Sequence, residues 1–514
     1  MDEIYYNGDI ITLEKELYKE AIHIKDGKIY SIGKYDKIIK EKEETTKLID
    51  LKGKTLMPSF IDAHSHITGV ANTFNIVSLN ECESFSEIIN VMKKALSNKK
   101  IDDNHWLIGY GYDNNNLVER IHPDKDILNK IATDLPILIT HISGHMGVVN
   151  DKVLSILSLS NNKSNGYFEE SSFFNITKNI PKINLEDFKE LLIKAEKEYL
   201  KNGITTVQDG LMKELEFEEL KYATQNHKFN IDIVGYVDMK NSINLPDKEK
   251  KYLKKYINRL KIGGYKLILD GSPQARTAWV KVPYRNTKEY GIHEYDDEKL
   301  EYYIDFAYKE NMQVLVHCNG DAAADQYIRV LDKVQKKYNK DIRPVMIHAQ
   351  ILRYDQLSKI KKLGIILSFF VAHVYYFGDI HIKNLGISRA RKISCVNSSI
   401  KNNILFTFHQ DSPVVKPDML NTIWCAVKRK TKNNVTLGKT EKINVLDAIK
   451  AVTINSAKQY FEEDIKGSLK KGKLADMIIL DKNPLKCDEN EIKDIKILKT
   501  IKEGKVVYDI EKMV

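Results

Sequence analysis

The 514-residue chain carries 80 Lys and Arg against 71 Asp and Glu, a formal net charge of +9. The excess is spread along the chain with no long basic block, which excludes a nucleic-acid-binding stripe. No apolar run approaches the roughly 18 residues of a membrane span, which excludes a membrane-embedded protein. The five cysteines, Cys82, Cys318, Cys395, Cys425 and Cys487, are odd in number, far apart and free of any Cys-x-x-Cys pair. A reduced cytoplasmic protein is expected, without a disulfide framework or a zinc ribbon. The opening MDEIYYNGDIITLEKE has no apolar signal core, and a soluble product is expected.

Residues 1 to about 55 alternate in short strand-like runs, EIYYNGDIITL, AIHIKDGKIYSIG and TKLIDLKGKTLMP, broken by Asn-Gly, Asp-Gly and Lys-Gly turns. From about 56 to 462 the pattern changes to strands followed by charged amphipathic stretches. Strands are expected at TLMPSFIDAH, ITTVQDG, DIVGYVD, YKLILDG, QVLVHC, PVMIHA, IILSFF and ILFTFHQD, and helices at stretches such as LEDFKELLIKAEKEYLKNG and KLEYYIDFAYKEN. Eight such units predict an α/β fold, a (β/α)8 TIM barrel with its site at the C-terminal strand ends. The stretch from about 68 to 200, between the first two strands, reads as an insertion that caps the mouth. The β texture returns over 463–514, in GSLKKGKLADMIILDKNP and ILKTIKEGKVVYDI. Residues 1–55 and 463–514 are therefore expected to form one small composite domain.

The chemistry gathers at the predicted strand ends. The first strand ends SFIDAHSHI, and period-two alternation puts Asp62, His64 and His66 on one face, where two imidazoles form a ready metal chelate. The fifth strand ends on His317, the sixth on His348, and Asp411 follows the eighth. In a barrel these five side chains would converge at the mouth. Lys266 interrupts the apolar run of the fourth strand, and alternation sends it inward with Ile268 and Asp270. A buried ammonium is costly unless paired, metal-bound or chemically altered, and the alternative is a lysine that snorkels to solvent.

Of the other residues, several keep more than one reading. His145, between Gly144 and Gly147 in the insertion, is a donor to a developing oxyanion, a pocket-lining residue or a structural contact. His141 and His145 have the spacing of a zincin helix, but Ile142 fills the glutamate position and the glycines oppose a helix. Arg276 could grip a substrate carbonyl or carboxylate, or staple its own loop. Asp270, Asp321 and His409 read as supports for ligands or turns, His373 and His381 as loop residues, and Cys318 as packing. Asp411 is either a proton shuttle or a helix N-cap ahead of Ser412-Pro413.

The MPSFIDAHSH start, His317, His348, Asp411 and the GSLKKGKLADMIILDKNP ending together resemble the amidohydrolase superfamily. Within it the chain is similar to the N-substituted formamide deformylase-like branch, amidohydrolase family 3. That branch's signatures are matched by YKLILDGSPQARTA, by GHMGVVNDKVL and by GYFEE, which ends on Glu170. The resemblance covers essentially the whole chain. It implies a barrel with a composite β-sandwich and a divalent metal centre, with His64 and His66 on one ion, His317 and His348 on a second, and Lys266 as the bridge. A buried lysine with a depressed pKa exposes a neutral amine that adds carbon dioxide, and the resulting carbamate is an anionic ligand able to hold two cations. Zinc is the first expectation from the imidazole-rich shell, with manganese, iron, cobalt or nickel as alternatives.

The expected activity is hydrolysis of a non-peptide C–N bond, an amide or N-substituted formamide, in a small-molecule substrate by metal-activated hydroxide, with Asp411 moving the proton. A homo-oligomer stays open. A metal-dependent lactonase, phosphoesterase or deaminase on the same barrel is the first rival, because the same hydroxide attacks any of those electrophiles. A non-catalytic scaffold is the second, although such proteins usually lose ligands that this chain keeps.

Overall fold

The computed structural model describes residues 2–97, 105–142, 144–159 and 165–513. The chain divides into two compact units, one of residues 1–68 and 195–514, the other of residues 69–194.

In the larger unit, strands from the two ends of the chain share one sheet. Its order is Lys505–Asp509, Ile497–Lys502, Met477–Leu480, Thr55–Pro58, Asp2–Ile11, Tyr18–Lys25 and Lys28–Gly33, and Lys47–Asp50 also pairs with Asp2–Ile11. Ile10, Ile22, Leu56, Met477 and Ile501 pack together beneath it. The hairpin between Tyr18–Lys25 and Lys28–Gly33 turns on Asp26 and Gly27, both at positive φ, as a two-residue turn matched to strand twist requires.

The second sheet of this unit has eight strands, all parallel: β1 Phe60–Ile61, β2 Ile204–Met212, β3 Asp232–Asp238, β4 Leu260–Ile268, β5 Gln313–Cys318, β6 Val345–His348, β7 Ile366–Phe369 and β8 Phe406–Phe408. They are the eight strands expected. The first differs in extent, because the chain changes partners at Ser59: Thr55–Pro58 pairs in the terminal sheet, while Phe60 and Ile61 pair with β2. The near-continuous burial of β2, β3, β6, β7 and β8 is that of parallel strands covered on both faces.

The sheet is curled. Flat, eight strands about 4.8 Å apart would hold β1 and β8 more than about 30 Å from each other. Instead, Asp411 N–H donates to His64 C=O at 3.1 Å and His66 N–H to Ser412 C=O at 2.8 Å. These bonds join the chain just beyond β8 to the chain just beyond β1.

A buried ion network ties the two sheets together. Asp232, at the start of β3, accepts from Lys466 and Lys502 at 2.6 Å each and from Arg259 at 3.1 Å, and Lys502 also reaches Asp476 at 2.7 Å. Burial opposes a charged Asp232, but the cations outweigh it and hold the carboxyl far below the ordinary range.

The 69–194 unit is built on a mixed five-stranded sheet, with Ile76–Ser78, Leu107–Tyr112 and Ile137–His141 parallel and Met146–Val149 and Tyr167–Glu169 antiparallel. Leu79, Ile88, Met92, Leu107, Leu128 and Ile139 form its core.

Candidate active site

The curled sheet gathers side chains from β1, β4, β6 and β8 at their C-terminal ends. His64 Nε2 and His66 Nε2 lie 3.4 and 3.2 Å from Asp411 Oδ1, and His348 Nε2 lies 4.0 Å from Asp411 Oδ2. Ligand atoms of His64, His348 and Asp411 all fall within 4.8 Å of one another, a spacing that fits a metal ion. Lys266 is buried, and its Nζ is 3.2 Å from His64 Nε2. The His317 ring meets that of His348 edge to face at 4.5 Å. The convergence does not come from strand alternation at β1. That strand ends at Ile61, and Asp62, His64 and His66 follow in a turn held by His64 N–H donating to Asp62 Oδ1 at 3.3 Å.

Hydrogen bonds behind the rings assign the tautomers. Gln208 uses its amide N–H groups on Ala63 C=O and Tyr460 Oη at 2.9 and 3.0 Å, so its Oε1, 2.5 Å from His64 Nδ1, accepts a proton from the ring. His317 Nδ1–H donates to Asp270 Oδ1 at 3.0 Å. His348 Nδ1 is 3.1 Å from His409 Nε2, and His409 Nδ1 is 2.8 Å from Ser368 Oγ, a chain satisfied when each histidine donates from Nδ1. In all three ligand candidates the lone pair then sits on Nε2, on the side where Lys266, Asn319 or Asp411 approaches. Imidazoles oriented from behind in this way are what a divalent cation requires. Gly210 makes room for His64: a Cβ there would lie 2.4 Å from its Cε1.

Burial sets the charge states. It pulls His64 and His348 well below the usual imidazole range, with Lys266 the next cause for His64 and His317 for His348. It also pulls Lys266 down to about 7, against the opposing attraction of Asp411. Asp411 would be raised by burial, yet His66, His409 and Lys266 prevail and keep it below the ordinary carboxylate range. Asp411 takes a positive φ of 54° and caps no helix; Asp418 does that, accepting from Asn421 N–H for helix Met419–Lys428.

The remaining expected residues have partners of their own. Arg276 Nε donates to Asn384 Oδ1 at 3.0 Å, and Asn384 in turn donates to Pro273 C=O and Gln274 C=O, so the arginine braces its own loop. His145 belongs to the 69–194 unit, where its Nδ1 lies 3.4 Å from Glu170 Oε2. Asp270 takes backbone N–H groups of Trp279, Asn319 and Gly320 besides His317, and Asp321 takes Lys281 N–H and Arg353. Cys318 is buried as packing. Gln208 and Ser368 carried no signal in the sequence, since an amide or hydroxyl inside a strand reads as any polar residue. His373 and His381, expected in loops, are buried on short helices.

Residues 47–508 match the model of the amidohydrolase family. The chain belongs to that family. Among similar proteins, Protein LONG AFTER FAR-RED 3 of Arabidopsis thaliana is 28% identical over 99% of this chain and 91% of its own. N-substituted formamide deformylase of Arthrobacter pascens is 21% identical over 99% of this chain and 98% of its own. Among solved structures, an uncharacterized metal-dependent hydrolase from Pyrococcus furiosus superposes with a TM-score of 0.81 at 25% identity, covering 95% of this chain and all of that one. No described helix of this amidohydrolase-family chain is long and apolar enough to cross a membrane.

Proposed function

We propose that this protein is a metal-dependent hydrolase that cleaves a non-peptide C–N bond, an amide or N-substituted formamide, in a small molecule. The observation that carries the reading is the convergence of His64, His66, His348 and Asp411 on one point, with Lys266 buried against His64 and His317 beside His348. The names of two similar proteins, a formamide deformylase and a metal-dependent hydrolase, support it. The curled parallel sheet reads as a closed (β/α)8 barrel over 56–462 with its insertion, and the terminal strands as a composite domain of 1–55 and 463–514. Five free cysteines fit a cytoplasmic setting.

His64 and His66 would hold one divalent cation and His317 and His348 a second, zinc by first expectation. Bound there, the cations would acidify water and polarise a carbonyl. Lys266 would supply the bridge: its Nζ lone pair attacks the carbon of carbon dioxide, one N–H proton leaves to solvent, and an anionic carbamate remains where a buried cation would repel the metals. Asp411, held as a carboxylate, accepts a proton at Oδ and returns it to the departing nitrogen. Elemental analysis should find close to two divalent ions per chain, and a panel of amides, N-substituted formamides, lactones and phosphotriesters should show turnover of the first two. Turnover of lactones or phosphotriesters alone would replace the C–N reading, and absence of metal with no activation by zinc, manganese or cobalt would remove the enzyme.

A further inference from the structure

His373 and His381 lie outside the ligand set, on helices His373–Tyr376 and Gly378–Leu385 that follow β7. His373 Nδ1 is 3.1 Å from His381 Nε2, the ring planes are within 13° of parallel, and the ring centroids are 5.3 Å apart. Centroids so much farther apart than the facing nitrogens mean that the rings meet edge to edge in nearly one plane. The contact is an N–H···N hydrogen bond, and one ring must supply its proton.

His381 decides which. Its Nδ1 is sealed from solvent with no hydrogen-bond partner. Were His373 the donor, neutral His381 would carry its own proton on Nδ1, a buried N–H with nothing to receive it. Orphaned buried N–H groups are rarer and costlier than an unused lone pair. With His381 donating from Nε2, its Nδ1 keeps only a lone pair, and His373 must carry its proton on Nε2. Both rings are kept neutral by burial, which draws His381 down to about 4 and His373 well below the ordinary range.

That Nε2–H has no partner among the described residues, and His373 keeps 3% of its surface exposed. His373 packs against Phe370 at 4.4 Å, and Phe370 in turn lies 5.6 Å from His409 and 6.3 Å from His348. An unused donor therefore stands one aromatic ring away from His348 and its partner His409, beyond the same strand ends. We infer that His373 is a substrate-contacting residue whose Nε2–H donates to an acceptor oxygen of the substrate, and that His381 is the positioning residue that fixes this tautomer. The inference rests on the C–N hydrolase reading only for the identity of the substrate.

The test uses metal-loaded full-length enzyme with N-benzylformamide as the probe. His373→Phe should raise KM by about tenfold, the loss of one hydrogen bond, with little change in kcat and metal content. His381→Glu, which can only accept, should reverse the His373 tautomer and raise KM similarly. His381→Gln, which returns an N–H donor, should recover most of that loss. A structural role would make the two His381 variants alike, and equal KM values would overturn the assignment. Independently of turnover, long-range 1H–15N spectra of 15N-histidine-labelled enzyme, with His373→Gln to assign the ring, should show the proton of His373 on Nε2. A proton on Nδ1 overturns the inference even if the C–N reading stands. If neither N-benzylformamide nor any amide or formamide of the panel is hydrolysed while Nε2–H is found, the C–N reading fails and the donor assignment survives.

Discussion

His64 Nδ1 lies 2.5 Å from Gln208 Oε1, and that one contact turns the ring's lone pair toward Lys266 and Asp411. Gln208 cannot rotate its amide without losing donation to Ala63 and Tyr460. Gln208→Ala should therefore free the His64 tautomer and weaken metal affinity by about 10- to 100-fold, the usual cost of removing a partner behind a ligand. Titration in metal-buffered solution measures it; unchanged affinity would mean that the ring is oriented by packing alone.

Gly210 tests the same ring sterically. A Cβ there meets His64 Cε1 at 2.4 Å and Nδ1 at 2.7 Å. Gly210→Ala should displace His64, lower metal content and cost about 1–3 kcal/mol in stability, as overpacking does. Denaturant unfolding with parallel elemental analysis reads both.

Asp411 sits between His64, His66 and His348 as a carboxylate. Asp411→Asn preserves the shape and removes the base, so kcat should fall at least about a hundredfold while most metal stays bound. Near-wild-type turnover would take Asp411 out of the mechanism.

The parallel strands were legible as short apolar runs, some of them with a chemistry-bearing residue at or next to the end, such as His317 on β5 and His348 on β6. The partners behind them were legible only in part. Asp270 and His409 read as supports from their places near strand ends, but Gln208 and Ser368 act through bonds between strands distant in sequence, and nothing local marks them. His373 and His381 misled for a related reason: helices as short as His373–Tyr376 have no periodicity to read, and their burial comes from neighbours such as Phe370.

The Asp232 network predicts acid sensitivity. Its folded carboxyl is depressed, so its contribution to stability is present above the unfolded carboxylate value of about 4 and is lost as pH falls below it. Asp232→Ala takes one carboxylate from the buried Lys466 and Lys502, leaving them Glu462 and Asp476, and should cost about 3–5 kcal/mol at neutral pH. The difference between variant and wild type should shrink as pH falls below about 4, where the wild-type carboxylate begins to lose its own advantage. A pH-independent difference would assign the loss to packing.

Lys266 gives the sharpest test. If it presents a carbamate, the site needs the anion, so Lys266→Ala should lose metal and activity together and regain part of both with acetate or propionate, which supply the missing oxygens. Lys266→Arg should not be rescued, because a guanidinium keeps a positive charge and fills the space. The pH dependence follows from the folded amine at about 7. Above that pH the amine is neutral and can add carbon dioxide; below it the proton stays on and carbamate formation stops. Reconstitution of apoenzyme with zinc and bicarbonate should therefore rise with pH through about 7, whereas acetate-rescued Lys266→Ala, which has no amine to titrate, should lack that step. An identical step in both proteins, or full activity in Lys266→Arg, would return Lys266 to an ordinary buried lysine held by His64.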